Sequence, residues 1–150
     1  MPHSNFQRTA AWLHACGKGK TVNNLSVQIG CDMEEYAEFL EVIELDSAYD
    51  REQLNDLRGD LARIAVLLKR GVIMARINKA DREDALDALC DREVTGNGIA
   101  YLADFDKEGA DEAVLDSNDA KLVDGKPVIL PGGKIGKPEG WEPPNIARFV

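Results

Sequence analysis

The chain has no apolar run approaching the roughly 18 residues that a membrane span requires. Its N-terminus, Met-Pro-His-Ser-Asn, has no charged region followed by a hydrophobic stretch, so no export signal is evident. Cysteine is scarce. Cys16, Cys31 and Cys90 are odd in number and lack metal-site spacing, which fits three ordinary thiols in a reducing cytoplasm. Positive charge is in the minority, with 18 Lys and Arg against 27 Asp and Glu and a formal net charge of −9. That deficit argues against sequence-independent binding to DNA or RNA, which relies on clustered cations. It does not argue against nucleotides, because a metal-bridged triphosphate can enter an acidic site. A hydrophobic content of 44% and a charged content of 30% are those of a soluble globular protein, and 150 residues suffice for one domain with a buried core.

No internal repeat and no alternation of strand and helix is visible, and the hydrophobic pattern is that of an all-α bundle. Phe6, Ala10 and Leu13 predict a short helix over residues 4–16, stopped by Gly17-Lys18-Gly19-Lys20. A second helix is expected from residue 22, interrupted around Gly30 and resuming over 32–46. Asp50, with Gln53 three residues on, has the pattern of a capping box. Behind it, Leu54, Leu57, Leu61, Ile64 and Leu68 predict a helix over 51–77. A fourth helix is expected over 82–103, where Gly96 and Gly98 would permit close helix packing. A fifth is expected over 107–115. After Leu122, residues 124–135 read as a β-hairpin with a Gly-rich turn, followed by a Pro-rich extended tail. The expected organisation is a helical domain over 1–122, with the hairpin and tail of 123–150 packing on it or on a neighbouring subunit.

Three patterns imitate known sites without their context. Gly17-Lys18-Gly19-Lys20-Thr21 ends like a phosphate-binding P-loop, but the loop's first Gly would fall at His14, and no strand precedes it. Asp104-x-Asp106-x-Glu108-Gly109 opens like a calcium-binding EF-hand loop, yet its twelfth position is Leu115. A helix start is the better account. His3 and His14 have no nucleophile nearby.

Two acidic clusters remain, Glu34-Glu35-x-x-Glu38 and Asp84-x-x-Asp87-x-x-x-Asp91. Positions three, four and seven apart share one face of a helix. Carboxylates so placed repel one another and need a compensating cation, and all-oxygen ligation suits Mg²⁺ or Mn²⁺. Helix capping is the competing account: Asp32 with Glu35 could form a capping box, and Asp81 with Asp84 could start the fourth helix. Capping leaves Glu38, Asp87 and Asp91 unexplained, since these lie up to two turns deeper beside Phe39, Leu86 and Leu89.

Glu34-Glu35-Tyr36-Ala37-Glu38 and the later Asp84-Ala85-Leu86-Asp87 resemble the Glu-Glu-x-x-Glu and Glu-x-x-Asp helices of the MazG-like, all-α nucleoside triphosphate pyrophosphohydrolases. A phage-associated subgroup, often labelled phosphoribosyl-ATP pyrophosphohydrolase-like, is similar through Asp87-Ala88-Leu89-Cys90-Asp91, Ser117-Asn118-x-x-Lys121 and Asp124-Gly125-Lys126-Pro127. The resemblance spans residues 27–144, and its departure is Asp84 in place of the usual Glu. It implies a MazG-like bundle and metal-assisted hydrolysis between the α and β phosphates, giving a nucleoside monophosphate and pyrophosphate. Glu35, Glu38, Asp84 and Asp87 would ligate Mg²⁺. Glu34 or Asp91 would be an outer ligand or would orient the attacking water. Asn118, Lys121, Lys134 and Lys137 would meet the substrate, with Trp141 either closing over the base or packing in the tail. A homodimer or homotetramer in the cytoplasm is implied, of the host if phage-encoded. Deoxynucleoside triphosphates are the leading substrate class, phosphoribosyl-ATP is the alternative, and a non-catalytic acidic binding protein is the competing class.

Overall fold

The computed structural model describes residues 4–130 and 135–150. These residues are mostly helical, with five α-helices and a small antiparallel hairpin near the C-terminus. They fall into two units, Lys20–Lys79 and the combination of Met1–Gly19 with Ala80–Val150.

The first unit is an antiparallel pair, α2 (Val22–Glu41) and α3 (Ala48–Lys69). Thr21 starts α2 by accepting the Asn24 N–H. The helix runs unbroken through Gly30, where an interruption was expected. A Cβ there would lie 2.9 Å from the Ala65 carbonyl oxygen and 3.1 Å from Leu68 Cβ. The glycine therefore lets α3 approach, and that packing outweighs the roughly 1 kcal/mol a mid-helix glycine costs. α2 also stops at Glu41, short of residue 46, because the chain turns at Val42 to reach Ser47. Ser47, and not Asp50, caps α3, its hydroxyl accepting the Asp50 N–H. Lys69 closes α3 eight residues before the expected end, since Gly71 takes a left-handed φ of 68°. The pair buries Ala37, Leu40, Ala65 and Leu68. Ser26, fully buried, donates to the Val22 carbonyl and accepts the Ala75 N–H at 2.8 Å, tying the segment after α3 back to α2.

The second unit holds α1 (Asn5–Ala15), α4 (Arg82–Leu102) and α5 (Lys107–Asp119). Ser4 and Gln7 form a reciprocal capping box on α1. Asp106 caps α5 by accepting the Gly109 N–H at 3.0 Å, so the acids at 104–108 do mark a helix start. α5 runs past residue 115 and takes in Ser117 and Asn118. Both tryptophans of the chain hold its end, Trp141 Nε1 donating to the Ser117 carbonyl and Trp12 Nε1 to the Asn118 carbonyl, each at 2.9 Å. These indoles add donors to carbonyls at the helix end, that of Asn118 also accepting the Lys121 N–H at 3.1 Å. α1 is tied to α5 by Arg8, which bridges Asp116 and Asp119. A Cβ on Gly96 or Gly98 of α4 would meet nothing within 4 Å, so neither glycine serves close packing as expected.

The hairpin is tighter than expected. β1 (Leu122–Val123) pairs with β2 (Lys126–Pro127) across Asp124-Gly125, whose φ values of 51° and 73° make a two-residue turn of the primed type. An Ile129–Ile135 bridge follows, and the Gly-rich turn expected at residues 131–133 lies outside the described residues. The tail ends in a 3₁₀ turn, Ile146–Phe149, where the Phe149 ring occupies the space beside Gly109.

Candidate functional site

Glu34, Glu35 and Glu38 sit in the C-terminal half of α2. Because α2 starts at Val22, Asp32 and Glu35 are interior residues, and the capping account of this cluster fails. Nor does the helix dipole favour the three acids, since its C-terminal end repels negative charge. The chain neutralises one of them: Glu34 pairs with Lys69 of α3 at 2.5 Å. Glu35 and Glu38 form no ion pair among the described residues and are exposed. Desolvation, then repulsion by Glu38 and Glu34, raises the Glu35 carboxyl above its ordinary pKa, with Lys69 opposing. Two carboxylates of one turn are thus left in mutual repulsion.

Asp84, Asp87 and Asp91 lie along one face of α4 in the other unit. Asp84 belongs to the first turn, where negative charge is favourable, but Asp81 makes no side-chain capping bond there. Asp87 and Asp91 lie beyond that turn. All three are exposed, and no ion pair with them occurs among the described residues. Among the described residues, Glu35 and Glu38 of the first unit and, separately, Asp84, Asp87 and Asp91 of the second form no ion pair. Carboxylate oxygens are the ligand type that suits Mg²⁺, but among the described residues no three acids, histidines or cysteines are grouped closely enough to hold a metal ion.

The substrate-side residues of the sequence reading gather at the end of α5. Lys121 Nζ donates to Asn118 Oδ1 at 2.9 Å. Lys137 Nζ stands 4.3 Å and Lys121 Nζ 5.4 Å from the centre of the Trp141 ring. Burial, then the neighbouring Lys137, lowers the pKa of Lys121. Lys134 lies outside the described residues.

Comparison with family models, with curated proteins and with solved structures gave no match.

Three features escaped the sequence reading. The Glu34–Lys69 pair crosses two helices whose register no spacing rule supplies. The lysine–tryptophan cluster joins α5 to an irregular tail. The third is an open cleft of about 1270 Å³ against α1, the end of α4 and α5, with Phe6, Tyr101 and Phe105 in its wall. Its charged groups are partly self-paired, Arg8 with Asp116 and Asp119, and Lys107 with Asp111. Of the thiols, Cys16 is buried and its pKa is raised by burial, which makes it a poor nucleophile.

Proposed function

We propose that the chain is a Mg²⁺-dependent (deoxy)nucleoside triphosphate pyrophosphohydrolase with a MazG-like helical fold, acting in the cytoplasm. The observation that carries this reading is the pair Glu35 and Glu38, set deep in a continuous helix where neither a cap nor the dipole rewards them. Left uncompensated while Glu34 is paired with Lys69, they call for a cation from outside the chain. Asp84 and Asp87, with the same lack of a partner cation, complete the proposed ligand set. Bound Mg²⁺ would supply Lewis-acid stabilisation of charge on the phosphoryl oxygens and would lower the pKa of water. Glu34, held by Lys69, keeps the end of α2 in register as an outer group, and Asp91 can orient water from one turn beyond Asp87. Asn118, Lys121, Lys134 and Lys137 bind the phosphates.

The reading extends to assembly as a homodimer or homotetramer. α4 carries Leu86, Leu89 and Val94 exposed by 63%, 55% and 68%, an unusual display on a 21-residue helix that a second copy would cover. Among the described residues no helix is long and apolar enough to cross a membrane. A nucleotide panel with Mg²⁺, read by pyrophosphate release, tests the activity. Release from phosphoribosyl-ATP alone would move the assignment to that substrate, and no release from any nucleotide would favour an acidic binding protein. Sedimentation showing a fully active monomer would remove the assembly.

A further inference from the structure

The unit that contains α5 presses two ammonium groups against one indole. The Trp141 ring is fixed from below by its Nε1 bond to the Ser117 carbonyl, and Lys121 is fixed by Asn118 Oδ1. Asn118 is itself anchored, since its own carbonyl accepts from Trp12 Nε1. Lys137 approaches the same ring from the tail. The ring quadrupole attracts both cations, but it does not cancel their charge, and the two repel each other. The chain has nine more acids than bases to draw on. Even so, among the described residues no carboxylate forms an ion pair with either lysine. Each ammonium has three donors, and Lys121 spends one of them on Asn118.

We propose that Lys121, Lys137 and Trp141 form a preformed anion site for a diphosphate group, the terminal two phosphates of a nucleotide or free pyrophosphate, that binds in the absence of metal. Two compact ammoniums held at one ring, 4.3 and 5.4 Å from its centre, offer point charges of the kind that phosphoryl groups take. A planar carboxylate would be better served by the fork of an arginine. With cations already over its ring, Trp141 acts as the platform that holds the lysines together and not as a stacking surface for a base. The inference deepens the substrate side of the proposed hydrolase, yet it can be tested without turnover.

The test is calorimetric titration of inorganic pyrophosphate into the full chain at low salt with a chelator present. The wild type should bind. Lys121→Gln and Lys137→Gln should each weaken binding at least tenfold, and Lys20→Gln, an exposed lysine outside the proposed cluster, should leave it unchanged. Lys137 is exposed on the tail, so its variant keeps the fold, and melting curves check this. A nucleoside triphosphate should displace pyrophosphate and a nucleoside monophosphate should not. The proposal is overturned if the wild type shows no binding at millimolar pyrophosphate, if Lys137→Gln binds undiminished, if Lys20→Gln weakens binding equally, or if the monophosphate competes as well as the triphosphate. Metal-free binding by a chain that hydrolyses no nucleotide would support this site and remove the hydrolase. Hydrolysis without such binding would remove the site and keep the hydrolase.

Discussion

Replacing Glu38 with Gln should raise the stability of the metal-free protein and abolish most of the stability that Mg²⁺ adds. Glu38 makes no ion pair among the described residues and follows Glu35 by one turn. Removing its charge relieves a like-charge contact worth about 0.2–0.5 kcal/mol. It also removes a negative charge from the last turn of α2, worth about 0.3–1 kcal/mol against the dipole. Gln and Glu have similar helix propensity, so the metal-free gain should be about 0.5–1.5 kcal/mol. For a chain of this size that is a rise in Tm of about 1–6 °C. Mg²⁺ at a hundred times its Kd would stabilise the wild type by about 2.7 kcal/mol, which exceeds that gain. The order of the two proteins should therefore invert when metal is added. Differential scanning calorimetry in chelator and then in millimolar Mg²⁺ reads both arms, with pyrophosphate release measured alongside. A metal-free variant that melts below the wild type would refute the claim that Glu38 is an uncompensated charge. An equal Mg²⁺-induced rise in both proteins would refute its role as a ligand.

Asp87→Asn should abolish pyrophosphate release while leaving the helical circular dichroism unchanged, and near wild-type turnover would take α4 out of the site. Gly30→Ala should lower the urea midpoint, because a Cβ 2.9 Å from the Ala65 carbonyl meets backbone that cannot swing aside. Overpacking of about 1–3 kcal/mol then opposes a propensity gain of about 1 kcal/mol, and a clearly more stable variant would contradict the close approach of α2 and α3. Glu35 predicts a pH signature in the metal-free protein. Its folded pKa is raised, so its contribution to stability is fully present below the ordinary value of 4.5 and is lost as pH rises through the folded value. Glu35→Gln should therefore match the wild type in Tm below that pH and exceed it at neutral pH, and a gap of opposite sign would refute the repulsion.

Helix existence was legible in this sequence, and helix ends were legible where the cap is local. Ser4 with Gln7, and Gly17 beyond Cys16, announce both ends of α1. The boundaries that were missed are those that packing decides. Gly30 reads as a break until Ala65 and Leu68 are known to lie against it. Ser117 and Asn118 read as loop residues until two indoles, one from α1 and one from the tail, are found capping their carbonyls. Two signals were present and were outweighed. Lys69-Arg70-Gly71 has basic residues followed by glycine, a helix stop, yet Val72, Ile73 and Ile77 extended the apolar pattern past it. Asp124-Gly125 is a strong hairpin dipeptide, but the hairpin expected over 124–135 opens on it and takes the Gly-rich stretch as its turn.

The candidate site divides along the same line between residue type and convergence. Helical spacing alone puts Glu34, Glu35 and Glu38 on one face, but it treats them as equals. What distinguishes them is Lys69, which comes from α3 and forms its ion pair with Glu34, while only weakly opposing the charge on Glu35. The same reasoning applies with the sign reversed at the end of α5. Lys121 and Lys137 are each candidates for the substrate in the sequence, but sixteen positions apart across a hairpin, with nothing to pair them. Only the fold of the tail, which seats Trp141 on Ser117, brings both to one ring, and among the described residues no acid pairs with either. In a chain with a surplus of acids, an unneutralised lysine pair is as informative as an unneutralised carboxylate pair. Each marks a place where, among the described residues, the chain supplies no full counter-charge of its own.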